Sequence, residues 1–150
     1  MKKEKGADIL EFISNLIYEK KQVEDYGIYL TIGKIFQFKD KGQVDFGGSE
    51  YKESELAEIT PVKHKEEDKY GWWDLTGGEY LIEFNEELQK LLPAAELVIL
   101  QPSERIMANG SFHTTKVLEK KGKIKVTLYV GKNGIKIKEN ARVSKLIVLD

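Results

Sequence analysis

The chain has 150 residues, of which 41% are hydrophobic, and is predicted to form a single domain over residues 1–150 with one substantial core. Its lack of cysteine excludes disulfides, a thiolate nucleophile and cysteine-based metal sites, and two histidines are too few for a histidine-rich metal site. The 24 basic and 25 acidic residues nearly cancel, which disfavours a nucleic-acid partner.

The sequence suggests neither a membrane span nor a secretory leader. No apolar run is long enough to cross a bilayer, and the first residues are charged, so we expect a cytoplasmic protein. The abundance of lysine and glutamate resembles the composition of proteins from hot environments, although many mesophilic surfaces share it.

Residues 7–20 place apolar side chains at helical spacing, with Asp8 and Glu11 positioned as a capping pair. The apolar members of this pattern are Ile9, Leu10, Ile13, Leu16 and Ile17. The spacing predicts one amphipathic helix that packs on the rest of the domain.

The remainder of the chain alternates between apolar and polar residues as β-strands do. The predicted strands cover residues 28–36 with a bulge near Gly33, and residues 44–46, 70–75, 79–85, 97–100, 106–107, 123–130, 135–137 and 141–149, and a further strand follows the turn at Asn109-Gly110 within the segment that ends at Glu119. Asn133-Gly134 predicts a hairpin turn between the strands on either side of it, and the charged run 63–69 predicts a solvated loop. Closely spaced turns with only one helix indicate a mainly β sandwich or distorted barrel.

Two features of this pattern draw attention to function. Trp72 and Trp73 are adjacent in a strand and point to opposite faces, so one of them is expected to face a ligand or a subunit. The triplet Ser103-Glu104-Arg105 combines hydroxyl, carboxylate and guanidinium groups between two predicted strands. Such a polar crossing is where chemistry is expected.

The order of several segments resembles the archaeal branch of the dUTPase and dCTP deaminase superfamily. GIYLTIGKIF, GGEYLIEFNE, LQPSERIMANG and GIKIKENARVSKL are similar to the family patterns G-I-D-L-T-x-G-x-I-F, P-G-x-Y-L-x-x-x-N-E, P-R-S-S-L-x-R-x-G and G-I-x-I-x-x-x-A-R-I-x-Q-L. The resemblance extends over residues 27–149. It implies a dUTPase-like distorted β-barrel, or β-clip jelly roll, that forms a homotrimer with ligand pockets between subunits.

The chain departs from these patterns at the chemical positions. Tyr29 stands where the family has an aspartate, and Ser103, Glu104 and Arg105 replace an arginine and two serines that position phosphates. Lys145 replaces a glutamine, and no tyrosine follows Glu119 as it does in dUTPases. A glycine-rich fifth motif does not occur before Asp150.

The resemblance also implies a candidate site. Glu119 would be the catalytic base, Ser103, Arg105 and Lys145 would bind the phosphates, and Mg²⁺ would enter with a bound nucleoside triphosphate. A simpler interpretation of each residue is a solvated ion pair for Glu119, a carboxylate partner for Arg105 and a surface charge for Lys145. His113 is expected to be a partly buried, hydrogen-bonded side chain and not a metal ligand.

The sequence is compatible with three functions. The preferred one is a divergent member that keeps the scaffold and a nucleotide pocket, with weak or lost catalysis. The first alternative is an active dUTP diphosphatase or dCTP deaminase. The second is a structural or regulatory assembly protein that binds a macromolecule through Trp72 or Trp73.

Overall fold

The computed structural model describes residues 2–90, 93 and 96–150, and it is mainly β, as the sequence predicts. Within these residues the strands are β1 (Ile13–Ser14), β2 (Val23–Glu24), β3 (Gly27–Phe38), β4 (Leu56–Glu58), β5 (Trp72–Leu75), β6 (Gly78–Leu88), β7 (Leu97–Pro102), β8 (Lys116–Val117), β9 (Gly122–Val130), β10 (Ile135–Lys138) and β11 (Arg142–Leu149). The helices are a 3-10 helix (Gly6–Phe12), α1 (Glu19–Gln22) and α2 (Glu104–Met107). No helix in this part of the chain is long and apolar enough to cross a membrane.

The strands form two antiparallel sheets. The larger follows the order β1-β6-β3-β11-β7-β8, with β2 and β4 also paired to β3 and β9 paired to β6. The smaller sheet consists of β5 and β10.

The long strand β3 links the two halves of the large sheet. Residues 28–31 pair with β11, and residues 32–37 pair with β6, with the register shifting between Ile32 and Lys34. This confirms the bulge predicted at Gly33. A Cβ atom at that position would lie 2.6 Å from the side-chain Oδ1 of Asn85 in β6, so glycine at position 33 leaves room for the amide group of Asn85.

The core confirms the alternation predicted for the long strands. Tyr80, Ile82 and Phe84 of β6 are buried on one face, and Ile124, Val126 and Leu128 of β9 are buried with them. Trp73 is buried, and its indole N–H donates to the carbonyl of Ile59 at 2.8 Å, whereas Trp72 is half-buried. Only one tryptophan therefore enters the core.

The predicted N-terminal helix over residues 7–20 is wrong. The 3-10 helix ends at Phe12, Ile13 then pairs with Leu88 of β6, and Asn15 adopts a positive φ of 68°. That backbone conformation cannot continue a right-handed helix. Ile17, expected on the buried stripe, is 51% exposed.

Three local predictions are also wrong. Residues 44–46 lie in an irregular loop and not in a strand, because the carboxylate of Asp45 accepts hydrogen bonds from the N–H groups of Gly48 and Glu50. Residues 106–107 belong to α2. The turn before Gly134 forms, but β10 pairs with β5 and not with β9, so it does not close a hairpin.

The charged run 63–69 lies in a loop, as predicted. The segment from Glu86 to Leu92 continues β6 as far as Leu88, beyond the predicted strand end at residue 85, and residues 91 and 92 lie outside the described part of the chain.

Candidate ligand-binding site

A cavity of about 770 Å³ lies between α2, the small sheet and the beginning of β11. Four of the described residues that line it are cationic, namely Arg105, Lys136, Lys138 and Arg142, and one, Asp74, is acidic. The four positive charges minus one negative charge leave an excess of three in a chain whose formal net charge is −1. The cavity therefore concentrates positive potential and is suited to an anionic ligand.

Local structure explains how these side chains meet. Alternation along β10 turns Ile137 into the core and leaves Lys136 and Lys138 exposed. The antiparallel register sets Lys136 opposite Asp74 and Lys138 opposite Trp72. The smaller sheet thus supplies two cations, a carboxylate and an indole ring to one wall.

The helix α2 supplies the opposite wall. Ser103 is buried and caps this helix, since its hydroxyl accepts a hydrogen bond of 3.4 Å from the N–H of Ile106. Its own N–H donates to the carbonyl of Val143 at 2.9 Å, which ties the helix to β11. Arg105 is exposed and lines the cavity, and no ion pair with Glu104 occurs among the described residues.

Lys145 lies in a different environment. Its ammonium group is 2.9 Å from a carboxylate oxygen of Glu24, and this hydrogen bond and ion pair lower the pKa of Glu24. The register places Lys145 opposite Tyr29, and Nζ lies 5.7 Å from the centre of the tyrosine ring. Its charge is therefore partly neutralised within the chain.

Lys145 lines a second cavity, together with Glu24 and Tyr26. Glu119 is exposed and lines a third cavity, on the side of the molecule formed by β8 and the beginning of β9. Lysines 116, 120, 123 and 125 line the same cavity. Arg105, Lys145 and Glu119 consequently face three different cavities of the single chain. Their meeting across a subunit boundary stays a prediction.

The sequence interpretation missed most of the cation-lined cavity. Lys136, Lys138 and Arg142 were not identified as candidates, although the alternation in IKIKENAR is the signal that sets both lysines on one face. Arg142 has a structural contact as well, because its Nη1 donates to the carbonyl of Lys21 at 2.8 Å. The guanidinium carbon also lies 5.4 Å from the centre of the Tyr29 ring.

A buried polar network, which we call the Glu86 network, consists of Glu86, Gln22 and Thr31. The carboxylate of Glu86 accepts hydrogen bonds from the N–H of Thr31 (2.7 Å), the hydroxyl of Thr31 (2.6 Å) and the amide of Gln22 (2.8 Å). Burial raises the pKa of Glu86, and these hydrogen bonds oppose the rise. The amide oxygen of Gln22 accepts from the N–H groups of Ile17 and Tyr18, so the network fastens the N-terminal segment to the sheet.

His113 is buried, as expected, and is hydrogen-bonded at both ring nitrogens. Nδ1 lies 2.9 Å from the carbonyl of Thr114, so it must carry the proton, and Nε2 then accepts from the hydroxyl of Ser144 at 2.7 Å. Burial lowers the pKa of His113. With both partners buried, this pair is a structural contact and not an accessible nucleophile.

The described residues contain no group of three histidine, cysteine, aspartate or glutamate side chains that could hold a metal ion. Asp74 is the single carboxylate among the described residues lining the cation-lined cavity. This donor set does not form a protein-only magnesium site, which normally requires several oxygen ligands. It is compatible with an ion that enters on the phosphates of a ligand.

The structure thus defines the protein as a mainly β domain with a cation-lined cavity. No protein family model and no curated protein sequence matches the chain. Its fold is similar to the crystal structure of 2'-deoxycytidine 5'-triphosphate deaminase from Agrobacterium tumefaciens, with a TM-score of 0.59 and 13% sequence identity. The match covers 97% of this chain and 47% of that one, so the chain spans about half the length of the solved protein. The chain therefore has a dUTPase-like β fold.

Proposed function

We propose that the protein binds a deoxynucleoside triphosphate and has weak or lost catalysis. The observation that carries the proposal is the cavity in which Arg105, Lys136, Lys138 and Arg142 outnumber the single carboxylate of Asp74. Guanidinium and ammonium groups are the side chains that bind phosphate oxygens. The fold shared with a dCTP deaminase supports a nucleotide in preference to other anions.

The positions of the catalytic candidates support weak turnover. Ser103 is buried as a helix cap, so its hydroxyl is already engaged with the backbone. Tyr29 takes the place of the family's aspartate and lies beside Lys145, which is itself paired with Glu24. Within one chain, Glu119, the proposed general base, faces a cavity other than that of Arg105, so a single chain holds no base beside its phosphate-binding cations. Loss of several groups that act together removes most of a reaction rate.

A homotrimer belongs to the same proposal. Arg105, Glu119 and Lys145 face separate cavities in one chain, so they can act on one ligand only if neighbouring subunits bring them together. Light scattering at micromolar concentration should give the mass of three chains. A monomer would exclude a site shared between subunits and leave the cation-lined cavity as the candidate.

A binding experiment tests the proposal directly. The melting temperature of the protein is measured with dUTP and dCTP, with and without Mg²⁺, because a ligand of the native state raises it. We expect one or both nucleotides to raise it, with Mg²⁺ acting through the phosphates. If neither nucleotide binds in calorimetry, the proposal is wrong and the structural or regulatory alternative is favoured.

Turnover is measured on the same samples. Pyrophosphate release reports dUTP hydrolysis, and ammonia release reports dCTP deamination. We expect both to be absent or very slow. Steady release at rates typical of enzymes would replace the proposal with the active alternative, in which Glu119 is the base.

A further inference from the structure

Trp72 gives the cation-lined cavity a flat aromatic wall. The imidazole ring of His64 lies parallel to the indole, at an interplanar angle of 2° and a distance of 5.0 Å between ring centres. Lys138 approaches the same indole, with its ammonium nitrogen 5.6 Å from the ring centre. Trp72 and Lys138 line the cavity, whereas His64 does not. His64 therefore stacks on the indole without lining the cavity.

The rest of the cavity wall divides into two kinds of surface. Ile106, Ile135 and Val143 supply apolar contacts, and Arg105 and Arg142 supply positive charge. A bare polyphosphate would use the charged part alone. An anion that carries a planar ring could also cover the indole and the apolar side chains, which adds stacking and burial of apolar surface.

We propose that Trp72 is a stacking platform that makes this cavity select anions bearing a flat aromatic base over inorganic polyphosphates. The inference rests on the proposed nucleotide function and adds a residue that determines specificity. Lys138 moves aside or contacts the edge of the bound ring, while the cations on α2 and β11 hold the phosphates. The long side chain of Lys138 is exposed and can rotate without disturbing the core.

The test compares ligands before it compares variants. Calorimetry on the unaltered protein measures the affinities of dCTP, dUTP and inorganic tripolyphosphate at one salt concentration. Stacking of a base on an aromatic side chain predicts that the better nucleotide binds at least about tenfold more tightly than tripolyphosphate. Tryptophan fluorescence should change on addition of the nucleotide, because a base would lie against Trp72.

Variants assign the preference to one ring. Trp72→Leu should lose about tenfold in nucleotide affinity and leave tripolyphosphate affinity unchanged, whereas Trp72→Phe should retain most of the preference. Phe46→Leu is the matched control, because Phe46 is fully exposed and lies outside this cavity. If Trp72→Leu does not fold, the ligand comparison and the fluorescence measurement on the unaltered protein still test the role of the ring, and equal affinities or an unchanged fluorescence would overturn it.

The outcomes separate this inference from the proposed function. Equal affinities for nucleotide and tripolyphosphate, or a preference that persists in Trp72→Leu, would overturn the stacking role while leaving an anion site in place. No binding of any of the three anions would overturn the proposed function, and the stacking role with it. A nucleotide preference that Trp72→Leu abolishes and Phe46→Leu preserves would support both.

Discussion

The cation-lined cavity and the Glu86 network are both polar, but their charges are satisfied in different ways. At Glu86 a single carboxylate accepts three hydrogen bonds from groups of the same chain, and it is fully buried. Among the described residues that line the cavity, four cations outnumber one carboxylate, none of the four forms an ion pair, and Arg105, Lys136 and Lys138 are exposed to solvent. A polar group that finds its partners inside the chain contributes to the free energy of folding. A polar group without partners inside the chain is available to bind a ligand.

The largest expected effect is on stability. Glu86→Leu leaves the N–H and hydroxyl of Thr31 and one amide hydrogen of Gln22 without their acceptor. We expect the free energy of unfolding to fall by about 3 kcal/mol, because buried donors lose their partners. Urea denaturation measures it. Glu66→Leu, in the exposed charged loop, is the control and should change stability by less than about 0.5 kcal/mol. A similarly small change in Glu86→Leu would contradict the structural role.

Arg105→Ala should lower nucleotide affinity and leave stability nearly unchanged. We expect about a tenfold loss of nucleotide affinity, because a charge-assisted contact to phosphate is removed, and a change in unfolding free energy below about 0.5 kcal/mol. Calorimetry and denaturation measure the two quantities. Lys41→Ala removes an exposed charge that does not line the cavity and should leave affinity unchanged. Equal losses in both variants would mean that only overall charge matters.

His113 predicts a pH dependence whose sign follows from its burial. Burial lowers its pKa below the ordinary value of 6.5, so the unfolded chain binds this proton more readily than the folded one. Stability is therefore lost as the pH falls from 6.5 towards the folded-state pKa, by up to about 1.4 kcal/mol per pH unit. Denaturation between pH 7.5 and 5 measures the slope. His113→Asn should remove this contribution.

Ser144→Ala is the matched variant for the pH experiment. It keeps the buried imidazole and loses only the hydroxyl that donates to Nε2, so the slope should persist. Glu4, whose pKa is raised to about 7 by a hydrogen bond with Glu96, and Glu86 act in the opposite direction. A raised carboxyl pKa makes stability fall as the pH rises. The contributions of Glu4 and Glu86 are the same in every variant, so they cancel when the pH slopes of His113→Asn and Ser144→Ala are compared with that of the unaltered protein. An unchanged slope in His113→Asn would contradict the assignment.

Lys145→Ala should have the smallest effect. Its ammonium group is already paired with Glu24, so removing it should weaken nucleotide binding by about threefold or less and cost less than about 1 kcal/mol of stability. Calorimetry distinguishes this from the family resemblance, which assigns Lys145 to the phosphates. A tenfold loss would show that Lys145 leaves Glu24 to hold the ligand.

The pattern of apolar and polar residues was sufficient to predict the long strands. Alternation over β6 and β9 indicates which side chains face the core, and Gly33 marks the bulge in β3. These features depend on residues close together in the chain, where strand periodicity and glycine geometry act directly. The family resemblance added the superfamily fold, which the structural comparison supports. It also placed Arg105 among the site candidates.

The contacts that individual side chains make could be learned only from the tertiary structure. The helical spacing of residues 7–20 gave way to pairing of Ile13 with Leu88, because contact with the sheet outweighs a small local preference. The pairing of β10 with β5 brought Lys138 opposite Trp72 and so built the wall of the cavity. Likewise, Glu24 is 121 residues from Lys145 in sequence, and only the fold makes them neighbours. Whether a charge is neutralised or open is a property of contacts that are distant in sequence, which local patterns do not encode.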